Sequence, residues 1–167
     1  MTENNNSKSR SVAVTLRVNG VSHEMSVDPR YALADVLRDE LSLTGLHLGC
    51  EQGVCGACMV LIDGEPALSC LTLAVETQGT EIQTVEHLSS TASEPGPLGK
   101  AFIKHCAFQC GFCTPGMLVM AHHILDKGLG NDRDKIREHL SGNICRCTGY
   151  EPIIDAIVAA SAEWEVK

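Results

Sequence analysis

The sequence predicts an α+β protein: a β-grasp domain over residues 11–88, a linker at 89–97 and a four-helix bundle domain over 98–164, preceded by a polar arm at 1–10. Three observations carry this. Apolar residues alternate on both sides of an Asn-Gly turn near the start, the pattern of a hairpin with one buried face. Everything after the small, Pro- and Gly-containing stretch SSTASEPGPLG repeats its apolar residues at helical spacing. Closely spaced cysteines fall in two groups, one in each half of the chain, where element boundaries are expected.

Taken in order, Val12, Val14, Leu16 and Val18 share one face of a first strand, Asn19-Gly20 turns, and Val21, Met25 and Val27 resume the alternation. Asp28 before Pro29 reads as a helix start, with Leu33, Val36, Leu37 and Leu41 as its inner stripe and Gly45 near its end. After the first cysteine group, Met59–Ile62 reads as a strand. Asp63-Gly64 is a tight turn into a partner ending near Cys70, and Ile82–Val85 is a further strand. Beyond the linker, Leu98, Ala101, Phe102 and His105 mark one helix, and Thr114-Pro115 opens a second through Leu118, Ala121 and Leu125. Asp132 opens a third through Ile136 and Leu140. Pro152 opens a fourth with Ile153, Ile157, Ala160 and Trp164 on one stripe.

The first cysteine group is Cys50, Cys55 and Cys58, C-x4-C-x2-C, with Cys70 following after eleven intervening residues. That is the plant-type ligand order for a 2Fe–2S cluster. An all-thiolate cluster is anionic and needs donors around it, which a loop of backbone N–H groups supplies. Gly49, Gly53 and Gly56 are interleaved with the cysteines, as tight wrapping requires. Zinc sites more often pair two short hooks, and disulfide scaffolds are short secreted chains, so the cluster is the better reading. The second group is Cys110-Gly-Phe-Cys113 and Cys145-Arg-Cys147, each pair at an expected helix–helix junction. On spacing alone, zinc competes with a cluster there.

Composition bounds the alternatives. A net charge of −8 argues against a general nucleic-acid or anionic-membrane role. No apolar run approaches a membrane span, and the start MTENNNSKSRS lacks the apolar stretch of a secretory signal. Nine cysteines without such a signal point to a reducing compartment, hence the cytoplasm, where thiols serve metals or redox chemistry.

The motifs GCEQGVCGAC, FQCGFCTPGM and GNICRCTGY together resemble the small iron–sulfur subunit of molybdenum hydroxylases of the xanthine oxidase/aldehyde oxidase family, over nearly all of the chain beyond the arm. The resemblance implies a plant-type ferredoxin-like domain followed by a helical domain, each with a 2Fe–2S cluster. It implies Cys50, Cys55, Cys58 and Cys70 as ligands of a flavin-proximal cluster, and Cys110, Cys113, Cys145 and Cys147 as ligands of a pterin-proximal one. Gln109 corresponds to a residue whose side chain contacts the pterin, and Cys147 to the ligand nearest it. Partners follow by the same resemblance: a large molybdopterin-binding subunit and a medium FAD-binding subunit, assembled as a dimer of heterotrimers. The expected role is an electron-transfer subunit relaying single electrons from the molybdopterin centre to FAD, with no residue touching substrate. A freestanding two-cluster ferredoxin is the alternative, and a zinc-stabilised interaction module a third. Cys106, the ninth cysteine, is expected as a buried small hydrophobe. His47 is not a Rieske ligand, since no thiolate is missing. His122 and His123, away from the cysteines, are expected as surface or core residues of a helix.

Overall fold

The computed structural model describes residues 11–88 and 95–165, so the arm at 1–10 and most of the linker, 89–94, lie outside the described residues. Strands β1 (Val12–Val18) and β2 (Val21–Val27) pair antiparallel around Asn19-Gly20. Both turn residues have positive φ, 54° and 79°, as a type I′ turn demands. Strands β3 (Met59–Ile62) and β4 (Glu65–Leu68) repeat the device around Asp63-Gly64, and β5 (Glu81–Gln83) lies parallel to β1 and antiparallel to β3. The sheet order is β2-β1-β5-β3-β4.

Helix α1 opens at Leu33–Asp35 and continues as a π-helical turn over Val36–Glu40. Its Leu33, Ala34, Val36 and Leu37 are buried against Leu16, Val18, Val60 and Ile82 of the sheet. The start expected at Asp28-Pro29 falls four residues late. The Asp28 carboxylate is occupied in a local turn, accepting from the Arg30 backbone N–H at 3.0 Å and from its guanidinium at 2.9 and 2.6 Å. The Asp35 carboxylate instead reaches back to the Ala32 N–H. The far end also differs: the helix closes at Leu41, with Ser42 at φ 57°, before Gly45 is reached.

The fifth strand expected from sequence, Ile82–Val85, is shortened by a side chain. The Asn19 amide accepts from Thr84 N–H at 2.9 Å and donates to its hydroxyl at 3.0 Å. That clamp draws the chain off the sheet into the single-turn helix α2 (Val85–Leu88).

Four helices follow: α3 (Pro97–Lys104), α4 (Thr114–Asp126), α5 (Arg133–Leu140) and α6 (Glu151–Ser161). Their core is not closed among themselves. Strand β3 is buried on both faces, and its period of two divides them: Met59 and Leu61 join the core of the helices, while Cys58 and Val60 join that under α1. Helix α4, which packs on β3, is consequently buried almost all round, His122 and His123 included. Helix α5 has only Ile136 and Leu140 to bury. An isolated eight-residue helix is unstable in water, so those two side chains, at about 1.5–3 kcal/mol each, carry it. The Asp132 carboxylate caps it, accepting from Asp134 and Lys135 N–H, both at 3.1 Å. Exposed pairs from Arg133 and Arg137 to Glu151 add little by comparison. Trp164, expected on the stripe of α6, lies past its end and folds back to donate to the Asp126 carboxylate at 2.9 Å.

Cys106 corrects an expectation. Helix α3 stops at Lys104, and Cys106 takes φ 52° as the left-handed residue of a Schellman turn, with Ala107 N–H on Phe102 C=O at 2.9 Å. Its thiol is therefore exposed rather than buried. Glycine suits that backbone better by about 1 kcal/mol. Cys106→Gly should raise Tm by about 2–4 °C and leave the iron content unchanged; a loss of iron would make this thiol a ligand.

Candidate functional site

All four cysteines of the first group lie where α1, β3 and β4 converge on one loop. Cys58 enters β3 and is buried, whereas Cys50, Cys55 and Cys70 are half-buried. The loop wraps the Cys50 sulfur with three backbone donors: Gln52 at 3.4 Å, Val54 at 3.3 Å and Cys55 at 3.4 Å. Glu51 (φ 51°), Gly53 (φ 75°) and Gly56 (φ 70°) supply the left-handed residues this curl needs. Those donors pull the Cys50 thiol down to about 6, stabilising its thiolate. Burial, reinforced by the Cys58 thiol beside it, pushes Cys70 up to about 11.

The second group is held by the α3–α4 and α5–α6 junctions. Cys113 immediately precedes α4, and Cys145 and Cys147 lie in the turn before α6. The Cys147 and Cys110 sulfurs are 3.7 Å apart, and the Cys113 thiol contacts that of Cys145. Burial pushes Cys113 up to about 12. Burial opposes ionisation at Cys145 too, but the Thr148 hydroxyl at 3.1 Å and N–H at 3.4 Å, with the Cys147 N–H, bring its thiol below the usual range. Tyr150, at φ 69°, spans the turn: its hydroxyl accepts from Cys145 N–H at 2.9 Å and donates to Asn143 C=O at 3.0 Å.

The thiols thus meet in pairs: Cys50 with Cys55, Cys58 with Cys70, Cys110 with Cys147, and Cys113 with Cys145. None is disulfide-bonded, and among the described residues no three His, Cys, Asp or Glu converge on a point that could hold a single ion. A tetrahedral zinc site needs four ligands about one point. A binuclear cluster takes two per iron, which a pair of pairs matches, and the donors on Cys50 and Cys145 suit an anionic group. The residues present fit such clusters.

Gln109 is exposed and its side-chain N–H donates to Cys147 C=O at 3.1 Å, which brings the two residues singled out by sequence together. His47 serves a contact that sequence reasoning missed: its ring stacks on Phe112 at 5.0 Å and its Nδ1 lies 2.8 Å from Phe112 C=O. His122 and His123 are remote from this. His122 Nδ1 lies 3.2 Å from the Asp126 carboxylate, and His123 Nδ1 lies 3.0 Å from Gly64 C=O.

The two loops also touch each other. Ile144 N–H donates to Cys55 C=O at 2.9 Å, and the Asn143 amide donates to Gly56 C=O at 3.0 Å. Neither residue was singled out from sequence, and only the run GNICRC beside two cysteines could have marked them. Apolar side chains stay exposed around both loops: Val54 and Leu71 by the first, Phe108, Phe112 and Ile144 by the second.

Two family models match the chain, a 2Fe-2S iron-sulfur cluster binding domain over residues 16–89 and a [2Fe-2S] binding domain over 84–158. The caffeine dehydrogenase subunit gamma of Pseudomonas sp. (strain CBB1) is 53% identical over 156 residues, 92% of this chain and 93% of that one. The nicotine 6-hydroxylase small subunit of Paenarthrobacter nicotinovorans is 47% identical, covering 94% of each chain. Among solved structures, quinoline 2-oxidoreductase from Pseudomonas putida 86 superposes with a TM-score of 0.87 at 51% identity, over 93% of this chain and 96% of that one.

Proposed function

Because the chain belongs to the iron–sulfur subunits of molybdenum hydroxylases, we propose that it carries electrons between a molybdopterin centre on a large partner subunit and FAD on a medium one. Serving electron transfer in an oxidoreductase complex, with two 2Fe–2S binding domains, is a property of the family. Beyond that, Cys50, Cys55, Cys58 and Cys70 hold the flavin-side cluster, and Cys110, Cys113, Cys145 and Cys147 the pterin-side cluster. When bound, each cluster supplies one-electron storage, which splits the electron pair released by substrate oxidation. The carrying observation is the pairing of eight thiols into two groups whose loops are hydrogen-bonded to one another.

The chain's own residues bind, orient and insulate. Backbone N–H groups at Cys50, and Thr148 at Cys145, stabilise thiolates and favour added negative charge there. Gln109 holds Cys147 C=O from the exposed side, supporting its place at the pterin contact. The exposed apolar rim of both loops supports docking of larger subunits. The assembly we propose, on the family resemblance alone, is a dimer of heterotrimers in the cytoplasm. The four helices, with β3 as their floor, form the second cluster-binding domain, and the bundle is completed by the sheet.

Purification from the native host tests this reading. About four iron and four sulfide per chain are expected, with two larger chains co-purifying. Zinc in place of iron would overturn the cluster assignment, and full iron on a solitary chain would mean a freestanding ferredoxin. In the purified assembly, Gln109→Ala should keep the iron and weaken the magnetic interaction between molybdenum and the nearer cluster; an unaltered interaction would remove the pterin contact.

A further inference from the structure

Asn143 is buried, with 1% of its surface exposed, between the two cysteine loops. Its amide N–H donates to Gly56 C=O across 87 residues of sequence, and its own C=O accepts from the Tyr150 hydroxyl. The adjacent Ile144 N–H is on Cys55 C=O. Two consecutive hydrogen bonds thus join Asn143-Ile144 to Cys55-Gly56, with Cys55 at one end and Cys145 next in sequence at the other. The third wall is Gly116 of α4. A Cβ there would run into Gly56 C=O, and would lie 3.2 Å from the Asn143 amide nitrogen and 3.3 Å from Ala57 Cα. Glycine inside a helix costs about 1 kcal/mol relative to alanine, so this glycine sits where closeness takes precedence over helix propensity. No larger side chain than hydrogen fits between the backbones.

Resting on the two-cluster reading, we propose that Asn143 is a positioning residue that sets the spacing between the two cluster-binding loops, with Gly116 as the surface it closes against. The amide is suited to this because it is short, planar and a donor: a hydrocarbon would take the shorter of two hydrogen bonds from Gly56 C=O, leaving it only the Met59 N–H at 3.3 Å. An isosteric carboxylate would set oxygen against oxygen. Electron tunnelling falls steeply with distance, so a junction that holds two loops at backbone contact governs the rate between them.

EPR of the reduced full-length protein tests this, because spin–spin splitting between two reduced clusters weakens steeply as they separate. Asn143→Asp and Gly116→Ala are each expected to retain about four iron per chain and both sets of g-values while losing the splitting. Ile136→Val, a core change of about 0.5–1.5 kcal/mol away from the junction, is expected to keep it. Unchanged splitting in the two junction variants would overturn the proposal, and so would loss of iron from both, which would mean that the residues serve assembly rather than spacing. If only Asn143→Asp fails to load, Gly116→Ala decides by the same measurement. A wild-type protein with a single centre would instead fail the two-cluster reading itself.

Discussion

Cys110→Ser is expected to halve the iron, from about four to about two per chain, and to delete one of two EPR-distinguishable centres while leaving the other intact. A serine hydroxyl is a weak ligand for iron where a thiolate is needed, and Cys147 would lose the sulfur that lies 3.7 Å away. The effect stays local because Cys110 is exposed and belongs to no core. Its loop follows α3, and the first cysteine group sits on a different loop with its own backbone donors. Cys58→Ser is the instructive contrast. That thiol is 2% exposed and packs with Val60 under α1, so a hydroxyl there loses a ligand and also buries a polar group, at a further cost of about 1–3 kcal/mol. Iron analysis and EPR of the two reduced variants check both statements. Survival of both signals in Cys110→Ser would remove this residue from the ligand set.

Much of this was legible in the sequence, for a local reason. Asn19-Gly20 and Asp63-Gly64 write their turns in residues that tolerate positive φ, and both hairpins form where that chemistry places them. Helix starts at Thr114-Pro115, Asp132 and Pro152 are likewise set by residues within one turn of the boundary. Misplaced boundaries trace to competition for a side chain: Arg30 takes the Asp28 carboxylate that was read as a cap, and Asn19 takes Thr84 from the end of β5. The exposure of Cys106 depends on where α3 stops, and that stop is a Schellman turn on a non-glycine residue, which no local signal marks. The run Met59–Ile62 lacks alternation, the mark of a strand covered on both faces. Asn143 was out of reach altogether. An asparagine between a glycine and an isoleucine reads as a loop residue, and its partner lies 87 residues away.

The glycines of the first loop separate these two kinds of constraint. Gly53 and Gly56 have similar backbones, φ 75° and 70°, so alanine at either pays the left-handed penalty of about 1–2 kcal/mol. Their surroundings differ. A Cβ at Gly53 meets the end of the Leu71 side chain, which is 62% exposed and free to swing aside. A Cβ at Gly56 meets Gly142 C=O and, at 2.9 Å, Asn143 Cα, both backbone atoms of the second loop that cannot yield without moving the helices. Overpacking of that kind adds about 1–3 kcal/mol. Gly56→Ala should therefore lower Tm by on the order of 10 °C and Gly53→Ala by about 5 °C. The decisive comparison is spectroscopic as well as thermal: Gly53→Ala should keep the splitting between the centres and Gly56→Ala should lose it. Equal Tm losses with splitting retained in both would mean that the second loop does not bear on the first, and that curling around the Cys50 sulfur is the whole reason for these glycines.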